Sequence, residues 1–272
     1  MPARRSDLSN GDTRQEINVP QRHPLRLWVV RHGESSGNVA RDAAQAAGDA
    51  RIDIPERDVD VPLSALGHRQ GEALGNWFAS LPDDERPNLV LASPYRRAVE
   101  TAENIREAGG LASGTPRLLI DERLREKEFG ILDRLTRVGI EQQHPEQSAL
   151  RHDLGKFYHR PPGGESWCDV ILRLRSALDT IGLHHDDRRI LIVGHQVVVL
   201  CLRYLLEGMT EAEILAIDAE GDVLNCGVTE YAFSASAAPG GGLALVRYNF
   251  VAPLEAGGAP VTSEQDAEAA AT

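Results

Sequence analysis

Four short apolar runs punctuate the chain: LRLWVV (Leu25 to Val30), NLVLAS (Asn88 to Ser93), PRLLID (Pro116 to Asp121) and RILIVG (Arg189 to Gly194). They are continuous rather than alternating, which suits strands buried on both faces, as in a parallel sheet covered by helices. Between them lie the helix-period patterns LGHRQGEALGNWFAS (66–80), RRAVETAENIREA (96–108), SWCDVILRLRSALDTIGLH (166–184) and VVVLCLRYLLEG (197–208). This alternation predicts an α/β fold, a three-layer α/β/α sandwich around a largely parallel central sheet. Two later runs, GVTEYAFS and LALVRYNF, flank the turn PGGG and predict an antiparallel hairpin at one edge.

The ends of the chain lack such patterning. Residues 1–24 are polar without an apolar period, and residues 254–272 are small, acidic and Gly-rich. Both read as disordered tails around a single domain over 25–253. The segment RDAAQAAGDARIDIPERDVDVP, between Asn38 and Leu63, interrupts the alternation and is open to two readings: a lid formed by residues 39–62, or an inert, solvated acidic loop.

Charge and cysteine usage exclude whole classes. A net charge of -12 over 272 residues disfavours nucleic acid and anionic membrane surfaces as partners, so an anionic ligand needs a local positive pocket. Cys168, Cys201 and Cys226 are far apart and give neither a disulfide framework nor a zinc spacing, so a cytoplasmic, reducing setting is expected. His184-His185-Asp186-Asp187 falls at a helix end, where neighbouring side chains diverge, and predicts a solvated terminus rather than a metal site. No metal and no cofactor is expected. No run approaches the ~20 apolar residues of a membrane helix, and no signal-peptide core is present.

Ligands of open α/β sheets bind outside the carboxyl ends of the strands. There the first run presents Arg31 and His32, the second Ser93 and then Arg97, the third Leu124-Arg125-Glu126, and the fourth Gly194-His195-Gln196. Two histidines, two arginines and a carboxylate suit phosphoryl transfer, which needs an aligned nucleophile, cations on the equatorial oxygens and an acid for the leaving alkoxide. Neutral imidazole is a competent nucleophile near neutral pH.

RHGESSGN, LSALGHRQGEAL, SPYRRAVETA, LREKEFG and VGHQ follow one another in the order seen in the histidine phosphatase superfamily. From about Leu25 to Leu206 the chain resembles that superfamily, which includes the cofactor-dependent phosphoglycerate mutases and many small-molecule phosphatases. The resemblance implies a phosphoglycerate mutase-like fold and a phosphohistidine on His32, with Arg31 and Arg97 clamping the phosphoryl oxygens. It further implies that His195 stabilises the transition state and that Asn38 completes the phosphate cradle. Glu126 falls where the family keeps its proton donor, with Glu128 as the competing assignment. The spacing to Phe129-Gly130 favours Glu126 and leaves Glu128 to solvent.

Departures from the pattern narrow the reading. Ile131-Leu132-Asp133 replaces the usual continuation after Phe129-Gly130, and the mutase substrate-loop motifs are not recognisable. PPGGES (161–166) and Gln196 resemble the bisphosphatase half of the fructose-2,6-bisphosphate enzymes, but Gly163 stands where those carry a lysine. Arg160, Tyr158 and Glu165 are therefore read as a substrate rim together with Gln196, and Ser166 as the cap of the next helix. The expected function is metal-independent hydrolysis of small phosphorylated metabolites. The alternatives are a 2,3-bisphosphoglycerate-dependent phosphoglycerate mutase and a non-catalytic phosphate-recognition module.

Overall fold

Alternation of side chains along each strand decides the layers. The computed structural model describes residues 23–111, 117–185, 188–237 and 241–263. Its elements follow in the order β1 (Arg26–Arg31), α1 (Ser36–Ala47), α2 (Ala65–Ser80), β2 (Leu89–Ala92), α3 (Arg96–Ala108), β3 (Arg117–Ile120), α4 (Arg137–Gln143), α5 (Pro145–Leu154), α6 (Trp167–His184), β4 (Arg189–Gly194), α7 (Gln196–Glu207), α8 (Glu211–Glu220), β5 (Val228–Ser234), β6 (Gly242–Phe250) and α9 (Ala252–Ala256). Leu27, Val29, Leu89, Leu91, Ile190 and Ile192 pack in one cluster with Trp167, Val170 and Leu174 of α6 and Val198 and Leu202 of α7. Their neighbours Trp28, Val30, Val90, Ala92, Leu191 and Val193 pack in a second cluster with Leu74 and Phe78 of α2 and Ala98 and Ile105 of α3. Successive residues thus face opposite helical layers, which makes the α/β/α sandwich.

Among the described residues the strands form one sheet in the order β3-β2-β4-β1-β5-β6. β1, β2, β3 and β4 pair in parallel, and β5 and β6 add antiparallel. The expected hairpin is present, with part of its Gly-rich turn outside the described residues. β3 departs from the expectation of full burial: at the sheet edge it has one neighbour only, and Arg117 and Ile120 are exposed.

Helix starts follow their caps. Ser64 Oγ accepts the Gly67 N–H at 3.0 Å and opens α2, and Ser166 forms a capping box with Asp169 at the head of α6. No helix among the described residues is long and apolar enough to cross a membrane.

The reading of 254–272 as a disordered tail needs correction over its first ten residues. Leu254 is fully buried, Ala259 is buried, and Thr262 bonds to both Gln70 and Asn225. The apolar residues here are too few to give a period, yet they close over α2 as part of the second core cluster. The N-terminal tail up to residue 22 and residues 264–272 lie outside the described residues.

Candidate active site

Register brings the two histidines together. β1 and β4 pair in parallel with Arg31 opposite Gly194, so the next residues, His32 and His195, emerge side by side at the carboxyl edge. Their ring centroids are 5.2 Å apart. β2 pairs Ala92 with Val193 on the other side of β4, which delivers Ser93 to the same edge. Its Oγ lies 2.8 Å from His195 Nε2.

The His32 ring is fixed in one tautomer. Its Nδ1 lies 2.7 Å from the Gly33 carbonyl oxygen, which can only accept, so Nδ1 carries the proton. Nε2 then holds the lone pair and receives the Arg97 Nε–H at 3.3 Å. Burial first, and then the charges of Arg97 and Arg31, hold the His32 pKa well below the ordinary 6.5. The ring is neutral at physiological pH and is therefore nucleophilic. The loop is braced by Gly33 N–H to Thr101 Oγ1 at 3.0 Å and by Asn225 Nδ2–H to the His32 carbonyl at 3.0 Å.

The two arginines are held from behind. Arg31 Nη1 donates to the Val223 carbonyl at 2.5 Å and to Gln196 Oε1 at 3.1 Å. Arg97 stands in the first turn of α3, with its guanidinium 5.0 Å from the centre of the Tyr95 ring. Its Nη1 donates to the Asp58 backbone oxygen at 2.7 Å and to Asp58 Oδ1 at 2.9 Å.

Glu126 closes the set. Burial raises its pKa to about 7 despite the opposing Lys127 N–H, which donates to Oε1 at 2.8 Å, and the opposing charges of Arg97 and Arg31. Its Oε2 lies 3.6 Å from His195 Nδ1. Burial and the nearby cations also depress the His195 pKa, so that ring is neutral. Ser93 Oγ accepts the Tyr95 N–H at 3.2 Å and can donate to His195 Nε2, which leaves the ring proton on Nδ1. Glu128 is exposed and accepts the Tyr95 hydroxyl at 3.0 Å.

A cavity of about 80 Å³ is lined by Arg31, His32, Asn38, Arg97, Glu126 and Gln196, with a wall of Ile52, Ile54, Val61 and Phe129. Asn38 is buried, and its Oδ1 is committed to the Ser35 N–H in the α1 capping box, so the amide offers a phosphate N–H donors only. The 39–62 segment supplies Arg41, Ile52, Ile54, Asp58 and Val61 to the lining and is not a loop standing apart from the site.

Three residues read as a substrate rim do not line this cavity. Glu165 is spent on structure, pairing with Arg125 at 2.6 Å and Arg173 at 3.0 Å and accepting the Glu128 N–H at 3.2 Å. Arg160 pairs with Asp169 at the head of α6, and Tyr158 is exposed beside Glu211. PPGGES forms a turn that packs on Gly130, where a Cβ on Gly130 would meet the Pro162 oxygen at 2.1 Å.

Sequence reasoning passed over Asp58, Arg41, Arg134 and Asn225. Asp58 lay in an acidic run whose solvated reading was equally good, and Asn225 lay in a turn. The one signal for Asn225 was a polar residue inside the apolar stretch VLNCGV.

The fold and site define an α/β sandwich with two neutral histidines, two arginines and a protonatable carboxyl at the carboxyl edge of its parallel strands. Residues 27–238 match the family model of the histidine phosphatase superfamily (branch 1). The chain belongs to this superfamily.

It is 31% identical over 187 residues to the protein of Yersinia enterocolitica named "Probable phosphoglycerate mutase GpmB", covering 68% of this chain and 76% of that one. It is 30% identical over 189 residues to chicken 6-phosphofructo-2-kinase/fructose-2,6-bisphosphatase, covering 69% of this chain but only 34% of the chicken protein. Among solved structures, native mycobacterial glucosyl-3-phosphoglycerate phosphatase superposes with a TM-score of 0.62 at 26% identity, over 82% of this chain and 98% of that one.

Proposed function

We propose that the protein is a phosphomonoester hydrolase that works through a phosphohistidine on His32. The observation that carries this reading is the His32 ring itself: Nδ1 is capped by the Gly33 carbonyl and the Nε2 lone pair is turned toward Arg97. Nε2 attacks phosphorus while the ester oxygen departs and takes its proton from Glu126, whose raised pKa keeps it protonated near neutrality. Arg31, Arg97, the Asn38 amide and His195 Nδ1–H meet the phosphoryl oxygens. Glu126, now a carboxylate, then takes a proton from the water that cleaves the N–P bond, and inorganic phosphate leaves.

Two guanidinium groups supply the positive charge that the transfer needs, so the reading includes no metal. The proposed substrate is a small phosphorylated metabolite with its phosphoryl group held in the cavity. The phosphatase activity of the mycobacterial neighbour supports hydrolysis, and three cysteines outside any disulfide support a cytoplasmic setting.

The test is His32→Ala. Hydrolysis of phosphomonoesters should be abolished, and radiolabelled phosphate should be trapped rapidly on the wild type but not on the variant. Retained turnover sinks the assignment, and a wild type that binds phosphate but never becomes labelled indicates a recognition module. Likeness to the Yersinia protein keeps a mutase as the second reading. A coupled mutase assay with and without 2,3-bisphosphoglycerate separates the two.

A further inference from the structure

Arg97 is doubly engaged. Its Nε–H points at the His32 nucleophile at 3.3 Å, while its two terminal nitrogens meet the Asp58 carboxylate, Nη1 to Oδ1 at 2.9 Å and Nη2 to Oδ2 at 3.4 Å. A phosphoryl group bound at His32 needs those same terminal N–H donors. A carboxylate and a phosphoryl group present similarly spaced anionic oxygens to a guanidinium fork, so the two are rivals for it. The Arg97 side chain is 7% exposed and the Asp58 side chain 34%, so the guanidinium is buried while the carboxylate keeps one edge in water and can turn out to it.

We infer that Asp58 is an internal anion that competes with the phosphoryl group for Arg97, so that it weakens the hold of the pocket on phosphate and speeds release of the product. This inference rests on the phosphatase reading and deepens it.

A purely orienting role is a poorer account of the geometry. The Asp58 backbone oxygen already accepts Arg97 Nη1 at 2.7 Å, and the Tyr95 ring lies 5.0 Å from the guanidinium carbon. Arg97 is thus placed without the carboxylate, which adds charge more than position.

The surrounding chain also allows the exchange. Residues 49–56 are fastened to the segment 134–136: Ile52 N–H donates to the Arg134 carbonyl at 2.9 Å, and Arg134 donates back to the carbonyls of Ile54 and Glu56. At the other end Ser36 N–H donates to the Pro62 carbonyl at 3.0 Å. Between these fixed points the single 3-10 turn Asp58–Asp60 carries the carboxylate. Rotation of the Asp58 side chain can free the Arg97 N–H groups that met the carboxylate, while the backbone contact and the wall of Ile52, Ile54 and Val61 stay in place.

A ligand that binds only when Asp58 has let go has its affinity reduced by the fraction of molecules in that state. Asp58→Asn keeps an acceptor of the same shape and removes the charge; Asp58→Ala removes both. Inorganic phosphate binding is measured by titration calorimetry on both variants and the wild type, alongside kcat and KM for p-nitrophenyl phosphate. Thermal melts verify that each variant is folded. Both variants should bind phosphate roughly tenfold more tightly, with a lower KM and stronger product inhibition.

Phosphate affinity equal to or weaker than that of the wild type in both variants overturns the inference. Tighter binding in Asp58→Asn but loss of binding in Asp58→Ala supports competition and adds a placing role for the side chain. If the wild type binds phosphate without turnover, the phosphatase reading fails, while the ratio of affinities still decides the role of Asp58.

Discussion

Asn225 Nδ2 donates to the carbonyl oxygen of His32 at 3.0 Å, and Asn225 Oδ1 in turn accepts the Thr262 hydroxyl at 3.0 Å. The backbone is tied in as well, through Asn225 N–H to the Thr262 carbonyl at 2.9 Å. Gln70 makes a parallel link. Its Oε1 accepts Glu34 N–H at 2.8 Å, and its Nε2 donates to the Pro260 carbonyl at 2.9 Å. The segment after α9 thus braces the loop that carries His32 through two buried amides.

A chain ending at Gly258 should therefore lose both activity and stability relative to one ending at Ser263. The shorter chain strands polar groups of Gln70 and Asn225 at buried positions, at about 1–3 kcal/mol for each group left unsatisfied. Thr262→Val, which removes only the hydroxyl, should cost about 1 kcal/mol. Denaturant midpoints and kcat on the three chains measure this, and equal kcat in the two truncations would show that the brace does not reach His32.

The approach of two backbones is a second exposed point of the design. A Cβ on Gly67 would lie 2.0 Å from the Glu34 carbonyl oxygen, and one on Gly33 would lie 2.6 Å from the Gly67 oxygen. Neither neighbour is a flexible side chain, so the loop after β1 or the first turn of α2 must move. Gly67→Ala should destabilise the fold by about 3 kcal/mol and reduce turnover, because the displaced segment carries His32. Alanine at Gly48 is the control for a surface glycine, since nothing lies within 4 Å of its Cβ, although its φ of 72° adds modest strain.

The parts of the site that lie on strands were legible because register is a consequence of burial. Val29, Ile192 and Leu91 each had to face one layer, and with the strands so fixed, His32, His195 and Ser93 had to emerge together. Glu126 was legible through its motif alone, since the short turn before it carries no periodicity. Asp58 and Arg134 were not legible: the stretch 49–60 is held to 134–136 by backbone carbonyls and one isolated bridge, Arg51 to Leu135, which leave no pattern in side-chain type, and Arg41 is one polar residue among several on α1. The PPGGES loop is ambiguous for a related reason: Gly163 has a φ of 74° and Gly164 packs against the Glu128 carbonyl, and glycines that serve a turn look the same in sequence as glycines that serve a ligand.

Activity should fall on the alkaline side of neutrality. In the proposed mechanism Glu126 must be protonated before attack, and it gives up its proton at about pH 7, where a phosphomonoester is already dianionic. The expected profile of kcat/KM declines above about pH 7, and on the acid side it falls as the substrate dianion protonates at about pH 6 and, well below 6.5, as His32 protonates. Glu126→Gln should lower kcat by roughly 10²–10⁴-fold for substrates with poor leaving groups and abolish the alkaline limb. A limb that persists in Glu126→Gln would assign the proton to another group.

The same carboxyl leaves an opposite mark on stability. His32 and His195 have folded pKa values below their ordinary 6.5, so as pH falls under 6.5 the unfolded chain takes up two protons that the folded chain refuses, and stability is lost. Glu126 has the reverse sign. Its folded pKa of about 7 exceeds the ordinary 4.5, so the stability it contributes is full below 4.5 and is lost as pH rises through 7. Between pH 5 and 5.5 these three groups together give a net uptake of about one proton on unfolding, or about 1.4 kcal/mol per pH unit, and the net shrinks toward pH 6.5 as the unfolded histidines lose their protons. Glu126→Gln removes the opposing proton and should raise the slope of unfolding free energy against pH by about one proton's worth over that range. Urea denaturation of the wild type and the variant at several pH values measures the difference directly, and parallel slopes would show that Glu126 is already ionised in the folded protein at pH 6.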